Sequence, residues 1–116
     1  MAEFFSKAEQ VFTPYAGFEN TYPDGNAQIA RLIGPSISET LGGGIVRYRR
    51  VKTVWRLPFD EIVYVIDGGM TVTASGKSWS AKAGDVLFFP QGEPVGYDVE
   101  AGVTVFYAKY PGSAST

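Results

Sequence analysis

The sequence predicts an all-β antiparallel fold, a single sandwich or barrel of short strands, and three observations carry that expectation. Of the 116 residues 15% are aromatic, and 14 Gly and 7 Pro interrupt the chain, a mix that suits strands joined by tight turns better than a helical bundle. Turn signals recur roughly every eight to twelve residues, the spacing of sandwiches and barrels. The segments between them alternate apolar and polar residues or run apolar for about a strand's length. A chain this long forms one domain and buries roughly two-thirds of its unfolded surface.

Taken in order, Met1 to Thr13 mixes Phe4, Phe5, Val11 and Phe12 with charges and reads either as a short helix or as an arm pairing with another sheet. Pro14 to Asn26 is loop and turns, packed down by Tyr15, Phe18 and Tyr22. Residues 1–26 are therefore an arm, on the barrel or on a dimer partner, and 27–111 form the barrel. Ala27 to Ile33 alternates as a first strand, ended by Gly34-Pro35. The glycines of Leu41 to Gly44 lead into Ile45 to Val51, where Val46 and Tyr48 share one face and Ile45, Arg47 and Arg49 the other. Glu61 to Ile66 has the composition of a strand buried on both faces, closed by a turn at Asp67-Gly68-Gly69. Met70 to Ala74, Ser75-Gly76-Lys77 and Ser78 to Ala81 read as a hairpin. Val86 to Phe89, Val95 to Val99 and Val103 to Lys109 complete the strands, and residues 112–116 form a flexible tail.

Composition excludes several classes of function. A net charge of −2 and a pI near 5.0 leave no basic footprint for nucleic acid. With no Cys and no His, disulfides, thiolate catalysis and zinc–sulfur sites are out, and so is the commonest neutral-pH base. No apolar run approaches membrane-spanning length, so the expectation is a cytoplasmic protein with no membrane partner. Gly76-Lys77-Ser78 is no phosphate loop, because Thr71 stands where its first glycine belongs.

The order Trp55-x-Leu57-x3-Glu61, Gly68, then Gly84-Asp85-x4-Pro90-x-Gly92 resembles the two cupin motifs, which implies a single antiparallel jelly roll, a double-stranded β-helix barrel. Cupins bring two His and a Glu from the first motif, and a His from the second, to a metal. By that resemblance Glu61 stands at the Glu position, Trp55 and Leu57 at the first two His positions, and Val95 at the last. Three of four ligands are absent, so no metal and no cofactor is expected. The chain more closely resembles the cupin domain of the ethanolamine-utilisation protein Q (EutQ) family, of bacterial microcompartment operons. The likeness spans about residues 40–111, through Trp55 to Ile62, Ala81 to Gly92 and Tyr107 to Pro111. That family implies a dimeric, metal-free cupin, with an acetate kinase role proposed for the ethanolamine-pathway member.

Glu61 is the residue to explain, because a lone carboxylate in an apolar strand must face water or find partners. It reads as a general acid/base with a raised pKa, or as a structural partner of an Arg or Tyr. Tyr97 and then Tyr107 are the phenols expected to orient a ligand or move a proton. Tyr48, Trp55 (the pocket floor), Leu57 and Val95 are expected to line the cavity, and Arg47 or Arg49 to neutralise an anion there. The expected function is binding of a small polar or anionic metabolite. An enzyme would carry out isomerisation, epimerisation, elimination or acetate phosphorylation; the alternative is a ligand-sensing or microcompartment scaffold. The expected partners are that small molecule and, through Phe4, Phe5, Val11 and Phe12, a second copy in a homodimer.

Overall fold

The computed structural model describes residues 1–114. It contains nine strands: β1 (Thr13–Pro14), β2 (Asn26–Ile33), β3 (Gly42–Arg49), β4 (Val51–Arg56), β5 (Asp60–Ala74), β6 (Lys77–Lys82), β7 (Val86–Phe89), β8 (Pro94–Val99) and β9 (Val103–Tyr110). Every pairing is antiparallel. One sheet runs β1-β2-β3-β9-β5-β7 and the other β4-β8-β5-β6, so β5 belongs to both. The result is the expected jelly roll.

The pleat sorts the side chains. Val51, Val63, Val65, Val72, Val95 and Val99 are fully buried between the sheets, and their neighbours one residue along point outward. Leu57 and Val95 belong to this packed core. The Ala74–Lys77 hairpin turns on Ser75 and Gly76, both at positive φ (52° and 73°), the geometry that matches strand twist. Among the described residues no helix is long and apolar enough to cross a membrane.

Three expectations need correction. Asp67-Gly68-Gly69 is not a turn that ends a strand. β5 continues through it for 15 residues, and Gly68 at φ 79° is where the strand bends from one sheet into the other. Nor is the first half of β5 buried on both faces: Ile62, Tyr64 and Ile66 are 52%, 45% and 43% exposed on the outside. The expected strand Ile45 to Val51 is broken at Arg50, whose φ of 56° starts the separate strand β4. The tail is held down as far as the described residues go, with Gly112 N–H donating to the Thr40 carbonyl (2.8 Å) and the Ala114 carbonyl accepting from Lys109. Ser115 and Thr116 lie outside the described residues. In the arm, a single 3-10 turn at Lys7–Glu9 precedes β1, which pairs with β2.

A methyl group at Gly68 would meet the Gly102 carbonyl oxygen and would hold an L-residue in left-handed backbone. Gly68→Ala is therefore expected to cost about 1–3 kcal/mol. Urea midpoints at constant m-value check this, and an unchanged midpoint would mean the bend does not depend on glycine.

Candidate functional site

Strand register assembles the site. Glu61 on β5 faces Lys109 of β9 on one side and Phe89 of β7 on the other. Two residues further along, Val63 faces Tyr107, Tyr107 faces Gly44 of β3, and Gly44 faces Arg31 of β2. All of these share one face of the sheet, with Arg31 exposed at its rim. Of these, Glu61, Lys109, Tyr107 and Arg31 enclose, with Tyr15, Tyr48 and Phe59, a cavity of about 50 Å3, room for a very few water molecules or one small anion. The glycine run of β3 is what admits the phenol. A Cβ on Gly44 would lie 2.9 Å from the Tyr107 hydroxyl and 3.1 Å from its ring.

Glu61 is half-buried, and among the described residues no hydrogen bond and no ion pair reaches it. Burial raises its pKa from 4.5 to about 7, with the Lys109 charge pulling the other way. Lys109 is turned elsewhere: its Nζ donates to the Ala114 carbonyl at 2.8 Å and sits 4.6 Å from the Phe59 ring centre. Burial lowers the Lys109 pKa, and Glu61 opposes that. Burial pushes Tyr107 up to about 12, and Tyr48 and Tyr97 well above the ordinary phenol value. All three phenols thus keep their protons near neutral pH and can donate. The arrangement offers a carboxyl that titrates near pH 7, two cations and a phenolic donor around one small void.

The expected residues divide into two groups. Glu61, Tyr107 and Tyr48 line the cavity together. Tyr97 is fully inside the barrel, edge-on to Tyr48 at 5.7 Å, and packs behind the cavity rather than lining it. Leu57 and Val95 serve the core. Trp55 lies beneath Tyr15 and Phe18, stacked on the first at 5.8 Å and 7° and tilted against the second at 5.1 Å. Arg47 and Arg49 are corrections: both point outward, Arg47 over the Phe12 ring at 3.8 Å. The reason is strand parity, since Val46 and Tyr48 take the inward positions between them. The cations at the cavity are instead Arg31 and Lys109. Both were readable, Arg31 by its parity with buried Ala27 and Ile29, Lys109 by its parity with Val105 and Tyr107.

A metal centre does not fit this donor set. The positions beside Glu61 that would carry ligands hold Trp55, Leu57 and Val95. Among the described residues no three His, Cys, Asp or Glu side chains converge.

Comparison with known proteins agrees with the fold. A family model described as "Ethanolamine utilisation protein EutQ" matches residues 14–116. A curated relative, "Acetate kinase EutQ" of Clostridioides difficile (strain 630), is 34% identical over 74 residues, which cover 64% of this chain and 47% of that protein. The chain spans a third to a half of the length of the curated relatives it matches. A solved structure of the Clostridium difficile EutQ protein superposes with a TM-score of 0.71 at 30% identity, covering 77% of this chain and 65% of that one. An RmlC-like cupin from Shewanella frigidimarina superposes at TM-score 0.70 and 16% identity over 96% of this chain and 92% of that one, which establishes the shared fold.

Because Glu61 holds its proton more tightly when folded, the stability this proton contributes is complete below pH 4.5 and is lost as pH rises through about 7. The loss should be on the order of 3 kcal/mol across that window, with no further change above it. Glu61→Gln should remove the slope and be the more stable protein at pH 8. Urea midpoints of both proteins at pH 5 and pH 8 test this, and parallel pH profiles would refute the raised pKa.

Proposed function

The chain belongs to the EutQ family of ethanolamine utilisation proteins and has the cupin fold, and from that premise we propose that it binds a small carboxylate in the Glu61 cavity and exchanges a proton with it. The observation behind this reading is the unpartnered Glu61 carboxyl, with a pKa of about 7, in a void edged by Arg31 and Lys109. Strongly shifted titratable groups cluster at functional sites. Two cations and the Tyr107 O–H suit a carboxylate oxygen, and the volume suits acetate. In this reading Glu61, half-protonated near neutral pH, gives or takes a proton at the carbon or oxygen beside that carboxylate.

The name of the relatives supports a second reading, phosphorylation of acetate, in which the same cavity holds the acetate while Arg31 and Lys109 offset its charge. A scaffold reading gives Glu61 no proton transfer. It is separated from the other two by assay, since a scaffold binds acetate without turning anything over.

Affinity for acetate should carry the signature of Glu61. A carboxylate ligand is favoured beside the neutral acid and repelled by the carboxylate, so binding should weaken as pH rises through about 7. Glu61→Gln should bind acetate with no such pH dependence, and Lys109→Met should bind it about tenfold more weakly. Calorimetric titration at pH 6 and pH 8 measures all three. Wild-type affinity that is flat with pH would remove Glu61 from the site.

We also propose that the chain pairs with a second copy. Ile62, Tyr64, Val86, Phe88, Phe106 and Tyr110 are 39–64% exposed on the outer face of one sheet, and register places them side by side on β7, β5 and β9. Burying such a face is favourable at about 25 cal/mol per Å2. Light scattering should give twice the 12.6 kDa chain mass, and Phe88→Asp should return it to the single value. A wild-type protein that scatters as one chain at high micromolar concentration would refute the pairing.

A further inference from the structure

Trp55 carries a polar atom for which the fold has no use. Its indole N–H is buried without an acceptor, the one buried side-chain nitrogen or oxygen in that condition among the described residues. Leaving a buried donor unmet is unfavourable, so native folds rarely keep one without a role.

The position of Trp55 suggests that role. Tyr15 lines the Glu61 cavity and stacks on Trp55. On the far side, Trp55 and Phe18 line a much larger concavity of about 920 Å3, together with Lys52, Thr53, Tyr97 and Asp98. The rings of Tyr15 and Phe18 therefore stand between the small void and the large one. Their segment is held only at its ends. At one end Tyr15 N–H donates to the Ala27 carbonyl at 2.9 Å. At the other, the Asn20 side chain bridges the Arg50 carbonyl (3.0 Å) and the Lys52 N–H (2.8 Å), and Thr21 N–H donates to the Lys52 carbonyl at 2.9 Å. Residues 16–19 between these anchors make no backbone hydrogen bond among the described residues. Ala16, Gly17 and Glu19 are exposed, and Gly17, at φ 93°, has no atom within 4 Å of where a Cβ would stand. Packing of the Phe18 ring on Tyr15 and Trp55 is what keeps the span down.

We infer that residues 16–19 are a flap over a binding site longer than the Glu61 cavity, and that the Trp55 N–H is a ligand donor in it. This rests on the carboxylate reading above and extends it. The ligand class is a carboxylate whose chain carries a second oxygen acceptor. The first carboxylate sits at Arg31, Lys109 and Tyr107. The chain passes Tyr15, and the second oxygen accepts from Trp55 once Phe18 lifts. Acetate fills only the inner end.

The test uses Trp79→Phe protein, in which Trp55 is the remaining tryptophan of two, titrated with acetate, butyrate, succinate and glutarate. Succinate or glutarate should shift Trp55 emission to longer wavelength and bind more tightly than butyrate, while acetate leaves the emission unchanged. Adding Trp55→Phe should weaken the dicarboxylate about five- to tenfold, the loss of one such hydrogen bond, and leave acetate binding as it was. Phe18→Ala, which loosens the flap without altering Trp55, should raise acrylamide quenching of Trp55. If acetate binds but no dicarboxylate moves the emission or outbinds butyrate, the extended site is refuted and the cavity reading stands. If none of the four binds, both fall.

Discussion

Strand β5 belongs to both sheets, and its pleat decides what meets inside the barrel. Because side chains alternate, placing Val63 and Val65 in the core obliges Glu61 to point the same way. A shift of one residue would bring Ile62, Tyr64 and Ile66 inside and put the carboxyl in water. That alternative is open to an isolated strand, since those three residues are apolar enough to be core. It is closed here by pairing on both edges, to β7 and β9 along the first half and to β6 and β8 along the second. The bend at Gly68 lets one strand satisfy both sets of partners.

The energetics of the cavity follow from that placement. A desolvated carboxylate beside a lysine would ordinarily form an ion pair, and the register sets Glu61 opposite Lys109. The pair does not close, because the ammonium is committed to the Ala114 carbonyl and the Phe59 ring. Glu61 is left with proton uptake as its route to neutrality, which is why its pKa rises despite a cation on the next strand. A closed salt bridge would have pulled the pKa the other way and left the acid ionised and inert near neutral pH. Diverting the lysine keeps a proton available on Glu61 and keeps two cations unneutralised around it.

Much of this was legible in the sequence where alternation was strict. The strands β2, β6, β8 and β9 follow from period-two patterning between turn residues and β7 from its apolar run, and Glu61 stands out as the one charge on the stripe that Val63 and Val65 continue. The places that misled have physical reasons. Gly68-Gly69 carries the composition of a turn, but a glycine pair serves equally for a strand that must bend between sheets. Arg50 carries no hint of left-handed backbone; the fold imposes it, with Asn20 capturing its carbonyl and Asp24 3.5 Å from its guanidinium. The arginines were sought where they cluster, at Arg47 to Arg50, and a cluster of charges on one strand is mostly a solvated face. The working cations are solitary, Arg31 and Lys109, each the last charged residue on an otherwise buried stripe. Parity with buried neighbours was the better guide than local charge density.

The same parity argument accounts for the positions where the cupin motif holds metal ligands. Three of those places point into the barrel whatever residue occupies them, and here two of them, Leu57 and Val95, simply extend the apolar core. The third, Trp55, is too large to be absorbed into that core. It needs a cover, which Tyr15 and Phe18 supply from the arm, and it brings an N–H that this cover, made of ring faces and edges, leaves without an acceptor. A phenylalanine would offer a smaller ring to the same cover and carry no unmet donor, so the indole N–H is not something that packing requires. The residue makes sense where its nitrogen has an acceptor part of the time, and among the described residues none supplies one.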